Sequence, residues 1–129
     1  HISQENLNHA VEMLSKKLNI TIREFAVAGV KHEKSMFAHK WYLGVDSPLD
    51  AKLAAKILDE NLGILNDDYR TERLHAIREV TADVMDSSVF YEWMKQAGKE
   101  GGQHKFPRVL KGEKLESWID FLEKRKPTK

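Results

Sequence analysis

The residue types best suited to chemistry are concentrated in one short stretch, from Gly98 to Arg108. Three of the seven glycines in the chain fall within its first five positions: Gly98, Gly101 and Gly102. Glycine lets the backbone adopt positive φ angles and approach a ligand closely. Pro107 stiffens the chain between the cations Lys105 and Arg108, and Gln103 adds a neutral hydrogen-bond donor and acceptor. This composition is compatible with a ligand-binding loop.

The charges of this stretch favour an anionic ligand. Its ionisable side chains, apart from one histidine, are three cations and one anion, and three minus one gives a net charge of +2: Lys99, Lys105, Arg108 and Glu100. A phosphate or a carboxylate, at which negative charge builds, is the natural partner of such a segment. On composition alone, a solvated surface turn explains the same residues equally well.

Other catalytic and cofactor-binding patterns are missing from the sequence. Lys105 is followed by Phe106 and Pro107, where a phosphate-binding GxxxxGK[ST] loop needs a hydroxyl and then a helix. The GxGxxG dinucleotide fingerprint is also missing. None of the six histidines forms an HExxH or HxH pair, and the chain has no cysteine, so we predict no metal site. His39 falls in a predicted strand, where we expect a structural role.

Length and composition describe one ordinary folded domain. The chain has 129 residues, of which 41% are hydrophobic and 32% are charged. The formal net charge of +1 argues against a nucleic-acid-binding surface. No apolar run approaches the ~20 residues that a membrane-spanning helix needs, so we expect no membrane contact. The lack of cysteine and of a signal-peptide pattern favours a cytoplasmic location.

Hydrophobic periodicity predicts the elements that must hold the glycine-rich stretch. Ser3 is suited to cap a first helix that ends near Asn19. The β-branched segment 20–30 predicts a strand with a bulge near its start, where the alternation slips. A hairpin at 31–35 leads to a second strand over 37–45, which we expect to be half-buried and antiparallel to the first.

A long amphipathic helix is predicted next. Ser47 is expected to cap it, Pro48 to take its first position, and the apolar face to continue unbroken to about Arg73. A third strand is predicted over 77–85.

The last third of the chain predicts two further helices around the glycine-rich stretch. Ser87 or Ser88 caps a short helix that Gly98 ends, and a final amphipathic helix precedes Pro127. The segment 99–112 has no periodicity and predicts an ordered loop or an irregular edge. The order α-β-β-α-β-α-α predicts an α+β fold, in which helices pack on a small, three- to four-stranded mixed sheet.

The glycine-rich stretch also resembles a known family. Gly98-Lys99-x-Gly101-Gly102-Gln103-x-Lys105-x-Pro107-Arg108 is similar to the closing motif of the acyl acid amido synthetases, first known as auxin-responsive proteins. Three supporting matches precede it in the expected order: His39-x-Trp41, then Asn66-x-Asp68-Tyr69 with Arg73, then Phe90-Tyr91-x-Trp93. The chain is identified as a bacterial-type member, and the resemblance covers only the smaller, C-terminal domain of such enzymes.

The resemblance implies that residues 1–129 are a single lid domain of a larger adenylate-forming ligase. Such an enzyme uses ATP to convert a carboxylic acid to an acyl-adenylate, which an amine or amino acid then attacks to give an amide. The N-terminal adenylation domain of the same polypeptide is the implied partner, and it should hold most of the nucleotide, with Mg²⁺ as counter-ion. The isolated domain is expected to be inactive.

The resemblance also assigns roles within the motif. Lys105 is the implied catalytic residue, which enters the closed active site and stabilises negative charge. The implied substrate- or nucleotide-binding residues are Gln103, Arg108, Gly101, Gly102 and Lys99. Arg108 and Gln103 would position the loop or touch phosphate oxygens.

Two other functions remain open at this point. Gly98-Lys99-Glu100-Gly101 is a GxxG sequence after a helix, as in small RNA-binding modules that clamp the RNA backbone. Alternatively, the chain is a protein-interaction domain that docks a partner through Trp41 and Tyr42.

Overall fold

The computed structural model describes residues 2–33, 36–97 and 105–125. Within these ranges, five helices and four strands follow one another in the order α1 (Gln4–Leu18), β1 (Ile22–Glu33), β2 (Met36–Val45), α2 (Ala51–Leu65), α3 (Asp67–His75), β3 (Ile77–Asp86), α4 (Ser87–Ala97), β4 (Val109–Leu110) and α5 (Gly112–Arg125). The predicted α+β class and element order are confirmed. The structure adds a break between α2 and α3 and the short strand β4.

The four strands form one mixed sheet in the order β3-β2-β1-β4. The predicted hairpin is confirmed: β1 and β2 are antiparallel, with Val27 opposite Trp41. The outer pairs, β2 with β3 and β1 with β4, are parallel. The register shifts between Ile22 and Glu24, which confirms the predicted bulge.

Helices cover both faces of this sheet, so two hydrophobic cores form. The first core joins α1 and α2 to one face, and its largest buried side chains include Leu14, Trp41, Leu43, Leu58 and Tyr69. The second core joins α4 and α5 to the other face, and its buried residues are Ala26, Ala28, Tyr42, Val89, Phe90, Trp93, Phe106, Leu110 and Trp118.

The prediction that β2 is half-buried was wrong. Residues 41–45 are all buried, because alternate side chains enter opposite cores. Trp41 and Leu43 lie in the first core and Tyr42 in the second. Only the first part of the strand shows a solvated side, where Lys40 forms an ion pair of 3.2 Å with Asp83 of β3.

The prediction of one unbroken helix to Arg73 was also wrong. Asn66 has an extended backbone with φ −149° and ψ 113°, and it separates α2 from α3. Its side-chain oxygen accepts a hydrogen bond of 2.9 Å from the amide of Tyr69, and its Nδ2 donates to Oδ1 of Asn6 at 2.9 Å. An asparagine that caps a new helix in this way stabilises the break, although the apolar periodicity continues across it.

Carboxylates cap two helices for which serines were predicted. Asp50, not Ser47, is the N-cap of α2 and accepts from the amide of Leu53 at 3.2 Å. At α4, Asp86 accepts from the amide of Ser88 at 3.0 Å. A carboxylate also complements the positive end of the helix dipole, which favours it over a hydroxyl.

Both predicted ends of α1 are confirmed. Ser3 accepts from the amide of Asn6 at 3.1 Å, and Asn19 ends the helix in the left-handed conformation with φ 53°. In the ranges 2–33, 36–97 and 105–125, none of the helices combines the length and the apolar character needed to cross a membrane.

Candidate functional site

The described part of the glycine-rich stretch begins at Lys105 and runs into the edge of the sheet. Helix α4 is described as far as Ala97, and Gly98, which was predicted to end it, lies outside the described residues. The amide of Val27 in β1 donates to the carbonyl of Arg108 at 2.8 Å, and β4 then pairs with β1 from Val109 onward. The segment 105–108 is therefore attached to the sheet at its C-terminal end. Five predicted residues lie outside the described part of the chain: Gly98, Lys99, Gly101, Gly102 and Gln103.

Phe106, the residue directly after Lys105, is anchored in the second core. Its side chain is only 3% exposed and lies among three aromatic rings of the second core. The ring centroids are 4.7 Å from Phe90, 5.1 Å from Trp93 and 4.9 Å from Trp118. Edge-to-face and tilted contacts of this kind add to the free energy gained by burial. The backbone at Phe106 is therefore held by the core itself.

Arg108 is held by β1 through its side chain. Its Nη1 donates to Oε1 of Glu24 at 2.8 Å and to the carbonyl of Phe25 at 2.9 Å. Its guanidinium carbon also lies 4.3 Å from the centroid of the Phe25 ring, a cation–π contact. The side chains of Arg108 and Glu24 are 26% and 15% exposed, so water screens this ion pair only in part. The structure thus directs Arg108 towards the protein.

Sequence reasoning missed Glu24. Its carboxylate accepts from Arg108 and lies near the hydroxyl of Tyr91 in α4. Burial and then the nearby carboxylate of Glu24 raise the pKa of Tyr91. The only sequence signal was the bulge near the start of β1, because bulges redirect side chains at the edges of sheets.

Lys105 is exposed at the rim of a polar depression of about 400 Å³. We call this the lysine depression, and its lining residues are Gln4, Asn8, Glu24, Lys105, Phe106 and Arg108. The side chains of Arg108 and Glu24 inside it neutralise each other. The geometry therefore combines a firmly attached backbone with a lysine residue at the surface. Such an arrangement is suited to stabilise an anion presented from outside this domain.

The sequence matches a family model over most of its length. Residues 5–114 match the GH3 family C-terminal domain. The chain belongs to this family. No curated protein sequence matches the chain significantly.

Solved structures of GH3 enzymes share the fold of this GH3 domain. A "GH3.15 acyl acid amido synthetase" is similar with a TM-score of 0.70 and 18% sequence identity, over 92% of this chain and 23% of that chain. An "AtGH3.15 acyl acid amido synthetase in complex with 2,4-DB" is similar with a TM-score of 0.64 and 20% identity, with the same coverages. The chain thus spans about a quarter of the length of these enzymes.

The motif around Asn66 in this GH3 domain has a structural role. The hydroxyl of Tyr69 donates to Asp59 at 2.5 Å, and Nε of Arg73 donates to the same carboxylate at 3.0 Å. Nη1 of Arg73 also donates to the carbonyl of Ile77 at 2.8 Å. These contacts join α2, α3 and β3. Neither Tyr69 nor Arg73 lines the lysine depression.

In this GH3 domain, His39 and Trp41 lie on the side of the sheet that faces the first core, and Tyr42 lies in the second core. The ring of His39 lies 6.0 Å from that of Tyr69, and burial lowers its pKa. Trp41 is 0% exposed and Tyr42 is 3% exposed. The hypothesis that these two rings dock a partner was therefore wrong, because the two cores enclose them.

Two other predictions concern ligands of different kinds. In the part of the chain that the structure describes, no three His, Asp or Glu side chains are grouped so that they could hold a metal ion. The GxxG sequence at 98–101, on which the RNA-binding alternative depends, lies outside the described residues.

Proposed function

We propose that this GH3 domain is the C-terminal lid of an ATP-dependent acyl acid amido synthetase. Membership of the GH3 family supports the enzyme class, and both similar structures carry the name acyl acid amido synthetase. Because the chain corresponds to 23% of those enzymes, the partner in this proposal is a larger N-terminal adenylation domain of the same polypeptide. We call the two domains together the intact enzyme.

The proposed reaction has two steps. A carboxylate oxygen of the acyl acid attacks the α-phosphorus of ATP, and the bond to pyrophosphate breaks to give an acyl-adenylate. The nitrogen of an amine or amino acid then attacks the acyl carbon, AMP leaves, and the nitrogen gives up a proton. In the first step negative charge accumulates on phosphate oxygens, where a positioned cation lowers the barrier. Mg²⁺ accompanies ATP and is bound mainly by the larger domain.

Lys105 is the cation that we assign to this step. The observation that carries the assignment is the exposure of Lys105 directly before the anchored residues Phe106 and Arg108. An ammonium is a compact charge on a flexible stem, so it reaches a phosphate held by a neighbouring domain. An anchored backbone keeps the ammonium close to its working position, which is the condition for electrostatic catalysis.

The other residues of the motif have supporting roles in this proposal. Arg108 positions the segment, Gln103 contacts a phosphate oxygen, and Lys99 assists. Gly101 and Gly102 permit the backbone shape between them. Closure of the lid over the larger domain excludes water and brings Lys105 to the nucleotide.

The test is the exchange of labelled pyrophosphate into ATP by the intact enzyme. Lys105→Ala should slow the exchange by about 10²–10³-fold, the usual scale for loss of one preorganised electrostatic donor. Lys111→Ala is the matched control, because Lys111 is also exposed but lies beyond β4 and does not line the lysine depression. The isolated domain should show no exchange. Wild-type exchange by Lys105→Ala would refute the assignment.

A further inference from the structure

One carboxylate lies between the two flanks of the glycine-rich stretch. On the N-terminal flank, the hydroxyl of Tyr91 of α4 is close enough to Glu24 for the carboxylate to raise its pKa. Arg108, on the C-terminal flank, donates to the same carboxylate at 2.8 Å. The side chains of Glu24 and Arg108 are 15% and 26% exposed, so water screens their contact only in part. Glu24 itself lies on β1, where it is opposite Gly44 of β2, and β4 pairs with β1 a few residues further on, at Val27 and Ala28.

We propose that Glu24 is a positioning residue for Lys105. It does not touch the substrate and acts by fixing the segment that carries the lysine. This inference rests on the proposed function, and it adds a residue that the glycine-rich motif does not contain.

The apolar anchor alone does not fix the direction of this segment. Phe106 is held by ring contacts, which fix its own place in the core but supply no hydrogen bond that orients the residues on either side of it. Arg108 adds a directional constraint, because the guanidinium group is planar and its two hydrogen-bond acceptors, Glu24 and the carbonyl of Phe25, have fixed places on β1. Lys105 and Arg108 are three positions apart in the sequence, so their Cα atoms are at most about 11 Å apart. A shift of Arg108 is therefore passed on to Lys105.

The charge of Glu24 supports the same role. Of the side chains that line the lysine depression, two are cationic and Glu24 is acidic. By pairing with Arg108, Glu24 holds the guanidinium away from an incoming phosphate, which leaves that phosphate to Lys105. Loss of the negative charge should release Arg108 and raise the local positive charge by one. The result would be an enzyme that binds ATP no less well but reacts more slowly.

The experiment uses the intact enzyme and compares Glu24→Gln, Lys105→Ala and the double variant in pyrophosphate exchange. Glu24→Gln should lower the maximal rate about tenfold, since displacement of a catalytic group by 1 Å costs up to about 10²-fold. The KM for ATP should stay the same or fall. In the Lys105→Ala background, Glu24→Gln should have no further effect beyond about twofold, because the two changes remove the same contribution.

A matched control removes an exposed carboxylate from an ion pair elsewhere. Asp120→Asn breaks the 3.1 Å pair with Lys124 within α5, whose side chains are well exposed, and should leave the rate unchanged. Tyr91→Phe is a milder second variant, which removes the hydroxyl that lies near Glu24 and should slow the exchange about threefold at unchanged KM. It keeps the test decisive if Glu24→Gln does not fold, which circular dichroism of each variant would show.

Three results would overturn the inference. The first is a wild-type maximal rate for Glu24→Gln, or for Tyr91→Phe if Glu24→Gln is unfolded. This result refutes the positioning role of Glu24 and leaves the role of Lys105 intact. A tenfold loss that persists undiminished in the Lys105→Ala background, or a raised KM, assigns Glu24 a general structural role instead. A wild-type rate for Lys105→Ala refutes the proposed function itself, and the inference with it.

Discussion

Gly44 is the position at which the structure makes its sharpest prediction about stability. It lies in β2 with its α-hydrogens against α4. A Cβ atom added there would lie 2.8 and 2.9 Å from two ring carbons of Phe90 and 3.2 Å from the Cα of Ser87. Ordinary contacts begin at 3.4 Å, so the nearest contact is too short by 3.4 minus 2.8, or 0.6 Å. Gly44→Ala therefore forces a neighbour to move.

The neighbours of Gly44 have little room to move. Phe90 is fully buried, and its ring lies 4.7 Å from that of Phe106 and 5.0 Å from that of Trp118. Overpacking of this kind costs about 1–3 kcal/mol. The reduced backbone freedom of alanine in the unfolded chain offsets about 0.5–1 kcal/mol. The free energy of unfolding should therefore fall by about 1–2 kcal/mol.

Gly29→Ala is the matched control, because it makes the same chemical change in the neighbouring strand β1. A Cβ atom at Gly29 would meet nothing within 4 Å, so only the gain of about 0.5 kcal/mol remains. Urea unfolding followed by tryptophan fluorescence should separate the two variants by about 1 M in midpoint at unchanged slope. Equal midpoints for the two variants would show that Phe90 yields freely, and the packing argument would fail.

Two further predictions concern pH. Burial, the hydrogen bond to Asp59 and the charge of Asp59 raise the pKa of Tyr69 above 10.0, so the unfolded chain loses this proton first and stability falls as the pH rises above about 10. Tyr69→Phe should lower the free energy of unfolding by about 1.5 kcal/mol at pH 8. In urea titrations from pH 8 to 11, this variant should lose less stability with rising pH than the wild type. Burial lowers the pKa of His39 below 6.5, so the unfolded chain binds the proton more readily and stability falls below about pH 6.5. In His39→Gln, the urea midpoint should change less between pH 5 and 7 than it does in the wild type. An equally steep fall of the midpoint towards pH 5 in both proteins would contradict this.

Periodicity predicted the fold wherever one pattern dominated a segment. The α1 boundaries, the hairpin and the bulge all depend on contacts between near neighbours in the sequence, which local patterns report. The break at Asn66 was missed because the apolar face continues from α2 into α3, while a single side chain caps the new helix. Strand β4 was predicted only as an irregular edge, because two residues cannot display an alternation.

The burial of β2 on both faces was missed for a related reason. Lys40 and Gly44 made one face of the strand look solvated. In the structure, the missing side chain of Gly44 is what allows Phe90 to pack against the strand. The sequence alone does not show whether a glycine in a strand is exposed or lies against a helix. Only the position of α4 in the fold shows that Gly44 is buried.

The roles assigned to the site residues stay predictions. Composition drew attention to the glycine-rich stretch, and of its residues the structure describes 105–108, with Lys105 at the surface. Glu24 was missed because it lies 84 positions from Arg108 in the sequence. A contact of that separation depends on the arrangement of β1, α4 and β4, and no local spacing reports it.

The ion pair between Glu24 and Arg108 changes how the charge of the stretch should be interpreted. The sequence assigns a net charge of +2 to residues 98–108, which suggests a diffuse attraction for anions. In the fold, the charge of Arg108 is compensated by a carboxylate outside the stretch, and the ion pair is only partly exposed. In the proposed function, attraction for a phosphate therefore depends more on where Lys105 is held than on how many cations the stretch contains. For this reason, a rate that is sensitive to Glu24 and insensitive to Lys111 would distinguish positioned electrostatics from net charge.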